Sequence, residues 1–161
     1  MKVNFKSILK ELAIWVLIIF VSSNIMSYLR KPNLDSEYLP KIKAELLDGS
    51  EFSIVENEPL IIHFWATWCP TCKMEIDNIE SISKKYEVLT IAVNSSDLKT
   101  YMKEKRLSFK VLDDIESKWT KKFKVKAFPT TFIYDSKGKL QFSEVGYTTT
   151  AGLLARLKLI D

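Results

Sequence analysis

The sequence predicts a small mixed α/β sandwich: a parallel pair of strands joined to an antiparallel pair, with helices on both faces of the sheet. Three observations carry that expectation. Leu60–Trp65 and Val88–Val93 are nearly unbroken apolar runs of strand length, as in strands covered on both sides. Between them, from Pro70 onward, Ile76, Ile79, Ile82 and Tyr86 recur every three or four residues. Strand, helix and strand thus follow within about 35 residues, a right-handed βαβ unit with parallel strands. Further on, Thr131–Tyr134 and Leu140–Val145 flank Asp135-Ser136-Lys137-Gly138, a hairpin turn.

The remaining elements arrange themselves around this frame. Ile42, Ala44 and Leu46 alternate with Lys41, Lys43 and Glu45, and Phe52 and Ile54 with Glu51 and Ser53; Asp48-Gly49 between them predicts an N-terminal β-hairpin. The central helix ends near Lys84-Lys85, where cations suit the negative end of the dipole. Leu98, Tyr101 and Met102 mark a second helix opened by Ser95-Ser96-Asp97, and Ile115, Trp119 and Phe123 mark a short third one. Thr148–Thr150 can cap a last helix carrying Leu153, Leu154 and Leu157.

Composition narrows the function. The 161 residues suffice for one ordinary domain plus an appendage, and 47% apolar against 27% charged residues supports a packed core. Twenty-four Lys and Arg against 20 Asp and Glu leave +4, with no run of positives longer than two, so no nucleic-acid partner is expected. Four Gly, with neither GxGxxG nor GxxxxGK[ST], exclude a phosphate-cradling loop. Two Cys and one His cannot complete a four-ligand structural zinc site within one chain.

At the amino terminus, Lys2, Lys6 and Lys10 precede Leu12–Leu29, 18 residues without a charge, and Arg30-Lys31 follow. Such a stretch between basic flanks reads as a secretory signal or a single spanning helix. Val21-Ser22-Ser23 offers small residues to a signal peptidase, but the expectation is an uncleaved anchor. Three lysines before the span against two basic residues after it favour an inside amino terminus. Everything after the span then lies outside the cytoplasm, where disulfides persist. Pro32–Pro40 reads as a tether, so the chain divides into an anchor (1–29), a linker (30–38) and a domain (39–161).

The chemistry concentrates in Phe64-Trp65-Ala66-Thr67-Trp68-Cys69-Pro70-Thr71-Cys72, a CxxC at a strand-to-helix junction. At a helix start, unpaired backbone N–H groups and the positive dipole end favour a thiolate at Cys69. Pro70 suits the first helical position, where a missing N–H costs nothing. Cys72, one turn in, is more shielded and close enough to attack a mixed disulfide formed at Cys69. A purely structural staple across so short a loop removes little unfolded-state entropy. Haem attachment needs His after the second Cys, where Lys73 stands. Cu(I) held by two thiolates stays open as the alternative, a metal-handling protein without redox turnover.

On that motif, on Phe128-Pro129-Thr130 about 60 residues downstream and on Val145-Gly146-Tyr147-Thr148, residues 39–161 resemble the thioredoxin-like proteins in their membrane-anchored bacterial branch (the TlpA/ResA/DsbE group). Within it the chain is similar to the protein disulfide oxidoreductases of the suppressor-of-copper-sensitivity D type. The resemblance implies a thioredoxin-like three-layer sandwich with a central mixed sheet. It implies a thiol–disulfide oxidoreductase held on the inner membrane by a single span and acting in the periplasm on cysteine-containing proteins, the reductase direction favoured. A transmembrane thiol electron donor or acceptor would reset it, with no dissociable cofactor.

Cys69 then looks like the nucleophile and Cys72 like the resolving thiol. Pro129 matches the family's cis-proline facing the disulfide, and Trp68, Pro70, Thr71 and Phe128 would line the substrate surface with it. Glu75, three residues after Cys72, is either the acceptor of the Cys72 proton or an exposed first-turn acid favoured by the dipole. Two departures stand out. His63 occupies the place of a buried Asp, as a proton relay or as a satisfied structural residue. Asp77 replaces a proline, which puts a kink in the helix in doubt.

Overall fold

Leu60–Trp65 is the most apolar strand in the chain, and the fold is arranged so that both of its faces are covered. In the computed structural model, which describes residues 5–30, 32–55 and 57–160, this strand, β1, is buried along its whole length at the centre of a five-stranded sheet. β2 (Glu87–Val93) pairs parallel to it, with Ile62 opposite Leu89, and β3 (Lys110–Asp114) pairs parallel to β2. On the other side β4 (Thr130–Tyr134) runs antiparallel, with His63 opposite Thr131, and β5 (Leu140–Val145) closes the order β3-β2-β1-β4-β5.

Side chains alternate across a strand, so β1 feeds two cores. Ile61 and Trp65 meet Ile76, Ile79 and Ile82 of α2 (Pro70–Ser83), Leu98 of α3 (Leu98–Lys105) and Leu153 and Leu157 of α5 (Thr150–Leu157). Leu60, Ile62 and Phe64 meet Phe132, Phe123 and Trp119, the last from α4 (Lys118–Lys122), together with Ile42, Leu46 and Phe52. Three layers result. As expected, Thr149 caps α5, its hydroxyl accepting from the Gly152 N–H at 3.1 Å.

Three expectations change. The N-terminal β-hairpin shrinks to a single bridge, Glu45 to Glu51, closed by Leu46 N–H to Ser50 and Phe52 N–H to Ala44. The alternation of Ile42, Leu46 and Phe52 correctly marks which side chains are buried, but Leu47 donates instead to Val111 on the β3 edge, and no ladder extends. β3 itself carries no strand pattern in the sequence, because two of its five residues are aspartates at the end of an edge strand. The third helix starts at Lys118 and leaves Ile115 outside it and exposed. Its first turn is satisfied from upstream: the buried Asp114 carboxylate accepts from Trp119 N–H (2.9 Å), Thr120 N–H (2.8 Å) and the Thr120 hydroxyl (2.7 Å). α2 runs unbroken through the exposed Asp77.

The amino-terminal segment forms α1 (Phe5–Arg30), a 26-residue helix. Among the described residues no helix is long and apolar enough to cross a membrane; part of the span expected over 12–29 lies outside the described side chains. Leu34–Pro40 lie against the domain: Leu34 and Leu39 pack on the second core, and Leu39 N–H and Glu37 C=O bond to Gly138 and Leu140.

Asp114→Ala removes three hydrogen bonds and the α4 cap together. It should lower the free energy of unfolding by about 2 kcal/mol, read as a lower urea midpoint at unchanged slope. A midpoint within error of the parent would show that α4 does not depend on this carboxylate.

Candidate active site

Everything at the site is hung from the top of β1. After Trp65 the chain turns through Ala66–Trp68, held by Cys69 N–H to Ala66 C=O and by Thr67 N–H to the Ser95 hydroxyl just past the end of β2 (3.0 Å). Cys69 is the N-cap of α2, in extended conformation (φ −87°, ψ 114°), with Pro70 at the first helical position. In place of the usual oxygen, the Cys69 sulfur accepts the Cys72 N–H at 3.2 Å, meeting one of the four donors a helix start leaves unpaired. Cys69 and Cys72 form a disulfide, Cα atoms 5.3 Å apart. Cys69 is 5% exposed and Cys72 fully buried, so a visiting group reaches the first sulfur and not the second.

The opposite wall comes from 59 residues away in sequence. Antiparallel pairing of Phe64 with Thr130 brings the Phe128–Pro129 peptide bond, which is cis, up to the disulfide, and the Phe128 carbonyl oxygen stands 3.8 Å from Cys69 Sγ. Trp68 meets Phe128 edge-on (5.7 Å, 85°), and its indole N–H donates to the Asn94 carbonyl at 3.1 Å. More than half of Trp68 is exposed, whereas Trp65 is sealed beneath against Tyr101 and Phe109. Pro70 is exposed, Thr71 and Phe128 are half-buried, and Pro129 is buried. The sequence-expected site residues are therefore gathered at one end of the sheet.

Behind the sulfurs lies a polar layer. Glu75 is fully buried, which removes the exposed first-turn alternative. One carboxylate oxygen accepts the Thr148 N–H at 3.1 Å and the other has no partner among the described residues, so burial pushes its pKa up to about 8, the Thr148 bond only partly opposing. Asn78, one turn on, donates to the Tyr147 hydroxyl and the Thr148 carbonyl and accepts from the Thr150 hydroxyl. Glu75 and Asn78 thus latch the β5–α5 loop onto α2. Asn78 was not singled out in the sequence, although a polar pair three residues apart among the isoleucines of α2 is a visible signal. His63 is fully buried on β1, Nδ1 2.9 Å from the Thr131 hydroxyl and Nε2 without a partner among the described residues; burial lowers its pKa to about 3. Among the described residues no trio of His, Cys, Asp or Glu could hold a metal ion.

A redox-active pair capping the first helix after a central strand, faced by a proline loop from the antiparallel side, defines a thioredoxin-like thiol–disulfide oxidoreductase. Known proteins agree. A thioredoxin-like protein of Haemophilus influenzae is 29% identical over 161 residues, spanning 96% of this chain and 95% of the relative. Sporulation thiol-disulfide oxidoreductase A of Bacillus subtilis is 24% identical over 135 residues, spanning 77% and 79%. The crystal structure of the exposed lipoprotein thioredoxin Etrx1 of Streptococcus pneumoniae superposes with a TM-score of 0.64 at 25% identity, over 74% of this chain and 99% of that one. The AhpC/TSA family pattern matches residues 37–143, and the chain belongs to that family.

The two buried groups pull stability in opposite directions with pH. Glu75, raised from 4.5 to about 8, keeps a proton in the fold that the unfolded chain has lost, so stability falls as pH rises between those values. His63, lowered from 6.5 to about 3, stays neutral in the fold while the unfolded chain takes a proton, so stability falls as pH drops from 6.5 towards 3. Between 4.5 and 6.5 the two slopes cancel; from 6.5 to 8 the Glu75 slope stands alone and costs about 2 kcal/mol. Urea unfolding of the oxidised protein should show that loss, and Glu75→Gln should abolish it; equal stability of the parent at pH 6.5 and 8 would show that Glu75 ionises normally.

Proposed function

We propose that this chain is a membrane-tethered reductase of disulfides in extracytoplasmic proteins, with Cys69 as nucleophile and Cys72 as resolving thiol. The observation that carries it is the Cys72 N–H on the Cys69 sulfur, with Cys69 retaining a small exposure and Cys72 fully sealed behind it. In the reduced protein the same N–H favours the thiolate at Cys69. The thiolate attacks a substrate disulfide; one substrate sulfur leaves as a thiolate and takes a proton, and a mixed disulfide joins the other to Cys69. Cys72 then loses its proton and attacks Cys69 Sγ, which releases the second substrate thiol and restores the Cys69–Cys72 disulfide. Two electrons and two protons pass to the substrate.

Glu75 lies one turn along α2 from Cys72, and with a pKa of about 8 its ionised fraction, a minority at neutral pH that grows towards pH 8, is the form that can take the Cys72 proton and return it when the site is reduced again. Trp68, Pro70, Thr71, Phe128 and Pro129 form the surface that the substrate meets, and the Phe128 carbonyl beside Cys69 offers an acceptor to an extended segment lying across the pair. The charge-free stretch 12–29 supports a bilayer anchor with residues 39–161 outside the cytoplasm. A membrane-embedded dithiol would re-reduce the pair. The reductase direction is supported by how lightly the Cys69 sulfur is held: among the described residues one backbone N–H donates to it, which does not make a strongly oxidising pair.

Cys72→Ser should accumulate mixed disulfides at Cys69 that reducing gels resolve, while Cys69→Ser abolishes insulin reduction. In the reduced parent at pH 6, iodoacetamide should modify Cys69 at least tenfold faster than Cys72. Equilibration with glutathione should give a potential below about −200 mV; a value near −120 mV would reverse the direction. Stoichiometric Cu(I) retention without turnover would replace the oxidoreductase with metal handling.

A further inference from the structure

We propose that the lysine-rich face built by α4 and the residues after it is a docking surface for anionic phospholipid headgroups, which lays the domain flat on the bilayer. The inference rests on the reading of 12–29 as an anchor. Residues 115–126 contain five lysines and one acid, Glu116. Lys118, Lys121, Lys122 and Lys126 are exposed, and among the described residues none pairs with an acid; Lys124 pairs with Asp35. Lys118 and Lys122 flank the Trp119 ring at 5.6 and 5.0 Å, and Lys122 Nζ donates to the Lys41 carbonyl, which brings the exposed Lys41 and Lys43 into the same face. No substrate contact proposed above uses these residues.

The linker fixes where this face sits. Leu34, Asp35, Ser36 and Pro40 share a cleft with Lys122 and Phe123, so the linker passes beside α4 before α1 meets β5. From Leu34 back to Arg30 are four peptide steps, at most about 14 Å. An anchor ending at Arg30 therefore holds the lysines within roughly one or two Debye lengths of the headgroups, where each contributes about fivefold to binding on an anionic surface. α4 covers the sheet face opposite α2, and the disulfide lies at the strand ends. With α4 down, the Cys69 opening points along the membrane plane, towards thiols displayed by a neighbouring membrane protein.

The full chain would be reconstituted into nanodiscs of phosphatidylcholine alone or with about one-third phosphatidylglycerol, and its lysines footprinted by acetylation and mass spectrometry. Lys118, Lys121 and Lys122 should react at least fivefold more slowly on anionic discs, with the protection lost in roughly 0.5 M NaCl and Lys99 on α3 unchanged. The variant K118Q/K121Q/K122Q should keep carbonate-resistant membrane association and insulin reduction but lose the lipid-dependent protection of Lys41 and Lys126. Equal footprints on both discs, in a chain that resists carbonate, overturn the docking surface and leave the anchor standing. Extraction by carbonate overturns the anchor, and the docking surface with it. Protection on neutral discs by an acidic cysteine peptide, with none from anionic lipid, would assign the face to protein substrates and overturn the proposal.

Discussion

The site depends on one unmet need of α2. A helix start leaves backbone N–H groups without acceptors, and here the residue in the capping position offers sulfur rather than oxygen. A neutral thiol is a feeble acceptor and a thiolate a strong one, so the helix is better capped when Cys69 is ionised. Local structure and reactivity are thereby the same interaction seen from two sides. The coupling requires that α2 not simply move away, and its buried face on Ile76, Ile79 and Ile82, clamped against β1 and α5, prevents that.

The second constraint is the price of a carboxyl inside an apolar layer. Glu75 is tolerated because it stays protonated near neutrality and because Thr148 supplies one hydrogen bond. Asn78 does the same mechanical work on the β5–α5 loop without titrating. A glutamine at position 75 could hold Thr148 equally well; in the proposed mechanism, what the acid adds is a transferable proton. His63 contrasts with it. Its ring is held by Thr131, as a structural histidine would be, yet Nε2 is left without a partner among the described residues, so neither of the two expectations for this residue describes it fully.

What could be read from the sequence was whatever a periodicity or a spacing fixes. β1, α2, β2 and the β4–β5 hairpin follow from apolar runs, a 3.6-residue repeat and a Gly-containing turn, and the disulfide pair from CxxC after a buried strand. The illegible parts depend on partners distant in sequence. β3 exists because β2 offers an edge, not because Lys110–Asp114 resembles a strand. The start of α4 is set by Asp114 reaching forward, where Ile115 had suggested an earlier helix. The hairpin failed for a related reason: alternation dictates which side chains are buried, while the backbone of Leu47 found a better acceptor on Val111. Burial of Glu75 was equally hidden, since an acid near the start of a helix is ordinarily solvated, and α2 places Glu75 in its second turn on the face turned to the core.

A thiol pair that reduces substrates must meet two partners in turn, and the geometry allows one approach. Cys72 is sealed by α2 and the sheet, so in the proposed mechanism substrate and electron donor both have to reach Cys69, beside the Trp68–Phe128 contact and the Phe128 carbonyl. They cannot occupy that sulfur together. On the reading that the site is reset from the membrane, donor and substrate alternate at one sulfur, and the state between visits is carried by the disulfide itself. A flexible tether would let the opening sample every direction, which suits substrates arriving from solution. A domain held flat by its lysine face gives up that freedom and in exchange keeps Cys69 at the level of a membrane-embedded donor. Which of the two partners limits turnover then depends on how firmly α4 holds the surface, because the same contact that shortens the search for the donor narrows the angles from which a substrate can enter.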